Sequence, residues 1–203
     1  MEDSTRITDP YIWVTEDLLS TRQCNSVIKK YEQNKKQAKQ GVTGGGVQLH
    51  IKNSKDIVFD QSTGWERQDK QFHKIVGNML DGYVEHLKQA GDFPYFTTGE
   101  IFNCLPYGIS TGNYTDTGYQ MQKTEPGKGY VWHHDFKPSR VMTFIIYLNE
   151  VEEGWTQFYN GDQVSPKPGR GVMFPSTWTY VHQGYPPKQT KYLVTGWLHS
   201  DVS

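Results

Sequence analysis

The spacing of apolar residues divides the chain into two kinds of segment. Phe72, Ile75, Val76, Met79, Leu80, Tyr83 and Leu87 recur at i, i+3, i+4 and i+7, the period of an amphipathic helix whose apolar stripe must cover something. Gly91 is expected to stop that helix. A shorter helix is predicted after Ser20. Ser20 and Gln23 form a Ser-x-x-Gln capping box, and Cys24, Val27, Ile28 and Tyr31 follow at helical spacing. Its lysine-rich far end (Lys29, Lys30, Lys35, Lys36, Lys39) suits a solvated C-terminal turn. Beyond Phe93 the pattern changes to short runs rich in Val, Ile, Phe, Tyr and Thr, separated by glycine and proline turns. The predicted strands there are 100–105, 119–123, 130–135, 140–149, 156–159, 171–174, 179–182 and 191–198. Segments 11–14, 47–51 and 56–59 add strands or strand edges before them. Short strands behind two covering helices predict a mainly β fold with some α structure: a double-sheet jelly roll with both N-terminal helices packed against one sheet.

Length and composition narrow this picture. At 203 residues the chain suits one domain spanning 1–203, with a helical part at 1–92 and a jelly-roll part at 93–203. A formal net charge of −1 supplies no general electrostatic drive toward nucleic acid or a membrane surface, so neither partner is expected. No apolar run is long enough to span a bilayer, and the first residues do not read as a secretory signal. Cys24 and Cys104 are far apart within predicted elements and are expected to be reduced, packed thiols, consistent with a cytoplasmic protein. The glycine-rich stretch 41–46 lacks the Gly-Lys-Ser/Thr ending of a phosphate loop, which argues against nucleotide binding. It reads as a loop and, with 110–119, as a candidate for substrate contact.

The candidate chemistry lies in Tyr130-Val131-Trp132-His133-His134-Asp135-Phe136. Side chains alternate along a strand, so His133 and Asp135 point one way and His134 the other. Two ligand-type side chains on one face can grip a single metal ion, and His182 is the candidate third ligand. Two histidines and one carboxylate on one side of a metal form the facial triad of non-haem Fe(II) oxygenases. His50, His73, His86 and His199 have no such surroundings and are read as ordinary packed or surface residues.

The order of motifs around this stretch is specific. Pro126-Gly127-x-Gly129-Tyr130-x-x-His133-x-Asp135 is followed by Tyr147-Leu148-Asn149, then by His182 with a basic residue, Lys191, nine positions later. From about Tyr119 to Trp197 the chain thereby resembles the 2-oxoglutarate- and Fe(II)-dependent dioxygenases, in particular the prolyl 4-hydroxylase-like branch. That resemblance implies a double-stranded β-helix and iron held by His133, Asp135 and His182. It also implies that Lys191 anchors the distal carboxylate of 2-oxoglutarate. Tyr147 matches the tyrosine whose hydroxyl assists there in part of the family, and Thr143 is a second candidate on the same strand face. Tyr130 and Trp197 are candidates for contact with substrate. Many relatives carry a tyrosine shortly before Pro-Gly; this chain has Gln122-Lys123-Thr124-Glu125 instead, so Gln122 or Thr124 replaces it.

The implied reaction consumes 2-oxoglutarate and O2, releases succinate and CO2, and hydroxylates a C–H bond, with ascorbate as a reductant. The substrate implied is a prolyl residue of a peptide or protein. The alternatives are an oxygenase acting on a small molecule or a nucleobase, and a non-catalytic metal-binding module of the cupin kind. Oligomeric state is not legible in the sequence.

Overall fold

The structure is a computed structural model that describes residues 3–60, 64–89, 114–116 and 118–200. Gly91, Cys104, the strand expected at 100–105, and residues 110–113 and 117 of the 110–119 stretch lie outside the described residues. In chain order the elements are β1 (Trp13–Thr15), α1 (Thr21–Gln33), a 3-10 turn (Lys35–Gln37), β2 (Lys39–Gln40), β3 (Lys55–Val58) and α2 (Glu66–Gln89). They continue with β4 (Tyr114–Asp116), β5 (Gln120–Thr124), β6 (Tyr130–His133), β7 (Arg140–Tyr147) and β8 (Thr156–Phe158). The last four are β9 (Gln163–Val164), β10 (Gly171–Pro175), β11 (His182–Gly184) and β12 (Lys191–Ser200). The strands form two antiparallel sheets. The larger runs β1-β10-β7-β12-β5-β3-β2 with β4 also on β12, and the smaller runs β6-β11-β8-β9. This is the jelly roll that the alternation predicts.

Helix α1 begins as its sequence requires, with Ser20 and Gln23 satisfying each other's backbone N–H groups. Its Cys24, Val27 and Tyr31 and the Phe72, Val76, Met79, Leu80, Tyr83 and Leu87 stripe of α2 are buried against the outer face of the larger sheet. Cys24 is a free, buried thiol. Strands β7 and β12 lie in the middle of that sheet and are covered on both sides, so they read as nearly continuous apolar runs rather than alternating ones. Their parity still sorts the side chains. Phe144, Ile146, Leu148 and Val194 join the cluster under the helices, whereas Ile145, Tyr147 and Leu193 join a second cluster between the sheets.

Some boundaries differ from the pattern, each for a local reason. Segment 47–51 is a tight turn, with the N–H groups of Ile51 and Lys52 both donating to the Gln48 carbonyl; Val47 and Leu49 stay exposed because no strand lies beside them. Residues 179–181 are likewise outside a strand, in a turn closed by the Tyr180 N–H on Thr177 O, and β11 starts only at His182. Lys30 is not free in solvent: its ammonium donates to Gly64 O and Gln68 Oε1 and lies over the Trp65 ring, tying α1 to the start of α2. The short strands β2, β4 and β9 carry no periodic signal and were not expected. No described helix is long and apolar enough to cross a membrane.

Candidate metal centre

The last residue of β6 is His133 and the first of β11 is His182, and the two are paired directly across the smaller sheet. The strands meet closely here. A Cβ at Gly129 would stand 2.5 Å from the Gly184 carbonyl oxygen, so only glycine fits before Tyr130. Gly127, at φ 71°, makes the Pro-Gly turn that feeds β6. Strand β6 ends at His133, two residues earlier than the alternation suggests, so Asp135 reaches inward from the chain just beyond it. His134 is exposed and is not one of the converging ligand residues, although it too borders the cavity.

The ligand atoms of His133, Asp135 and His182 all lie within 4.8 Å of one another. Each imidazole is pinned through Nδ1: His133 at 2.8 Å from Val131 O and His182 at 3.0 Å from Tyr180 O. A carbonyl can only accept, so both Nδ1 atoms donate. In the neutral tautomer this leaves each Nε2 a bare lone pair facing the Asp135 carboxylate, at 3.9 and 3.7 Å. Burial pushes the His133 pKa well down, helped by the charge of His182, and so favours that neutral form. Burial opposes ionisation of Asp135, but His182 and His133, with the Thr143 hydroxyl, outweigh it and bring its pKa down. Two lone pairs and a carboxylate converging in a buried place repel unless a cation joins them. The donor set fits a divalent first-row metal.

The three residues stand in a cavity of about 400 Å³ between the sheets. Lys191 lines it and is buried; its ammonium donates to Gly154 O at 2.6 Å, and burial lowers its pKa from 10.5 to about 8. Thr124 is the direct neighbour of Lys191 across β5 and β12, and both Thr124 and Gln122 line the cavity. Tyr147 does not line it. Its hydroxyl is fully buried and donates to Thr156 Oγ1 at 2.5 Å, so Thr156 is the hydroxyl that faces the cavity, with its own proton free to donate inward. Thr143 lines the cavity, but its hydroxyl donates to Asp135 Oδ2 at 3.0 Å and lies 2.8 Å from Ser176 Oγ. The geometry therefore gives it to the carboxylate rather than to a ligand. Tyr130 lies flat on His133, with ring centroids 3.4 Å apart, and Trp197 carries the Arg140 guanidinium on its face at 3.6 Å.

Sequence reasoning missed Lys52 and Ser54, which also line the cavity. Lys52 is buried and paired with Asp56 at 2.9 Å. The loop reading at 41–46 is matched by Val42, Thr43 and Gly44 at the cavity wall, although no periodicity there points to Lys52.

Residues 119–199 match the model of the 2OG-Fe(II) oxygenase superfamily. The matched segment contains all three converging residues and Lys191. No curated protein matches the chain in sequence. Among solved structures, the chain is similar to a viral collagen prolyl hydroxylase from Paramecium Bursaria Chlorella virus-1 at 19% identity. That match has a TM-score of 0.63 and covers 94% of this chain and 96% of the other. It is also similar to a Trichoplax adhaerens prolyl hydroxylase solved with a hypoxia inducible factor peptide, at 17% identity and TM-score 0.66, covering 95% and 84%. A Pseudomonas putida prolyl-4-hydroxylase follows at 14% identity and TM-score 0.63, covering 93% and 92%. At these identities the likeness speaks to the fold.

Proposed function

We propose that the protein is an Fe(II)- and 2-oxoglutarate-dependent dioxygenase that hydroxylates a prolyl residue of a peptide or protein. The observation that carries the reading is the set of three converging ligand atoms in the same cavity as a buried lysine that meets only a backbone carbonyl among the described residues. His133, Asp135 and His182 would hold the iron, and three adjacent positions would remain for cosubstrate and O2. When bound, the iron and 2-oxoglutarate supply the oxidising chemistry, by which one oxygen atom enters a substrate C–H bond and the other leaves in succinate.

The protein's own part is placement. Lys191 meets the distal carboxylate, a buried anion that has to be paired, and the Thr124 and Thr156 hydroxyls stand beside it. Thr143 holds one oxygen of Asp135 and so sets the carboxylate's rotation. Tyr130 clamps the His133 ring in plane. The Val131 and Tyr180 carbonyls fix both imidazole tautomers. No side chain is needed to take a proton from the substrate, and none is assigned that role.

The prolyl substrate is supported by the three structural neighbours above, each described as a prolyl hydroxylase. A single catalytic unit over 1–203 is part of the proposal, supported by both helices packing on the larger sheet. A cytoplasmic setting is supported by the reduced, buried Cys24. The test is succinate formation with Fe(II), 2-oxoglutarate, ascorbate and proline-containing peptides, followed by mass spectrometry for one added oxygen on proline. Succinate with oxygen on another residue would reject the prolyl assignment alone. Bound metal and 2-oxoglutarate without any succinate would identify a binding module instead.

A further inference from the structure

The charges lining the cavity are unbalanced. Among the described residues its wall holds four cationic side chains (Lys52, Lys137, Arg140 and Lys191) and one carboxylate, Asp135. Three of these five have an assignment already. Asp135 faces the two histidines, Lys191 is committed to the cosubstrate carboxylate on the reading above, and Lys52 is neutralised by Asp56. Arg140 and Lys137 have no carboxylate partner among the described residues.

Arg140 is also held rigid. Its guanidinium lies 3.6 Å above the Trp197 ring, one terminal nitrogen donates to the Asp135 backbone carbonyl at 3.2 Å, and its Nε–H is buried with no hydrogen-bond partner. A guanidinium stacked on an aromatic face loses little freedom when it binds, and its planar fork matches a carboxylate. The Asp135 contact places it directly against one of the three converging residues. A flexible, hydrated lysine at 137, exposed on the same wall, adds longer-range attraction.

We propose that Arg140, assisted by Lys137, forms a carboxylate-binding subsite beside the metal, so that the preferred substrate is a peptide with an aspartate or glutamate next to the hydroxylated residue. This rests on the dioxygenase reading and names the substrate class within it.

The test compares two acetylated, amidated peptides that differ only in Gln or Glu beside the proline. Binding to protein loaded with Mn(II) and 2-oxoglutarate is measured by calorimetry. A third peptide, neutral with a free C-terminal carboxylate, separates a side-chain carboxylate from a chain end. The wild-type protein is expected to prefer the Glu peptide about 10- to 100-fold, as for a partly desolvated charge pair. Arg140→Gln should bring that ratio to near one, and Lys137→Gln should lower it about two- to threefold while steepening nothing in the neutral peptide. A ratio near one in the wild type, or a ratio untouched by Arg140→Gln, overturns the proposal; so does a preference for the free C-terminus alone. Because the ratio is taken within each variant, a general loss of affinity cancels. If Arg140→Gln does not fold, Arg140→Lys takes its place: a reduced ratio supports the fork, and an unchanged one rejects it. Hydroxylation of both peptides at equal affinity would reject this subsite and leave the prolyl reading standing. Binding selectivity without proline hydroxylation would do the reverse.

Discussion

The two faces of the larger sheet are built from the same strands and do opposite work. Toward the helices, β7 and β12 present Phe144, Ile146 and Val194, joined by Leu148 just past β7, all fully buried among apolar neighbours. Toward the smaller sheet, the alternate positions Thr143, Lys191, Thr195 and Trp197 face a cavity. One face yields stability from burial that needs no direction; the other holds polar groups that are stable only when each has a partner. A period of two separates them, so that neighbours in sequence such as Thr143 and Phe144 belong to different problems.

The comparison can be broken most severely at the metal. Asp135→Ala is expected to remove Fe(II) or Mn(II) binding in a calorimetric titration, whereas His134→Ala, at an exposed residue outside the converging set, should keep most of it. Equal loss in the two would sink the division of faces. On the other side of the sheet, Phe144→Ala should cost about 3–5 kcal/mol of unfolding free energy in denaturant, with metal affinity little changed in whatever remains folded.

Lys191 crosses the division, because it is a charge buried where an apolar residue would otherwise sit. Lys191→Met is expected to weaken 2-oxoglutarate about 100-fold while leaving metal affinity nearly intact. Its pH behaviour gives a second readout. In the folded protein burial lowers its pKa to about 8, against 10.5 ordinarily. Between those values the unfolded chain holds a proton that the folded chain has released, so unfolding free energy rises with pH across that window and is flat on either side. In the apo protein Lys191→Met should lack that rise. Cosubstrate affinity should fall above about pH 8, as the ammonium is lost.

Smaller effects sharpen the same contrast. Thr143→Val, which removes the donor to Asp135, should lower metal affinity about 10- to 100-fold with a melting temperature close to the parent's. Ser20→Ala, far from the cavity, should cost about 1 kcal/mol of stability and leave metal affinity unchanged.

Much of the helix-facing layer was legible because its signals are local. The capping box at Ser20 and Gln23 formed as written, and the α2 stripe is buried almost residue for residue. The convergence of His133 with Asp135 also followed from alternation, although Asp135 lies beyond the strand rather than in it and exposed His134 still borders the cavity. The errors came where alternation exists without a neighbouring strand, as at Val47 and Leu49, or where an element is too short to show a period, as at β2 and β9. Tyr147 had the right residue type and parity, but the Thr156 side chain stands between it and the cavity.

By itself the sequence determined the two helices, the jelly-roll alternation, and the order of ligand-type residues, since periodicity and capping depend on near neighbours in the chain. Tertiary structure decided which hydroxyl faces the cavity, that Lys52 and Ser54 enter the cavity wall, and that Arg140 lies rigid on Trp197 without a carboxylate partner among the described residues. Those outcomes depend on contacts between different strands, from Tyr147 with Thr156 to Arg140 with Trp197, which no local pattern encodes.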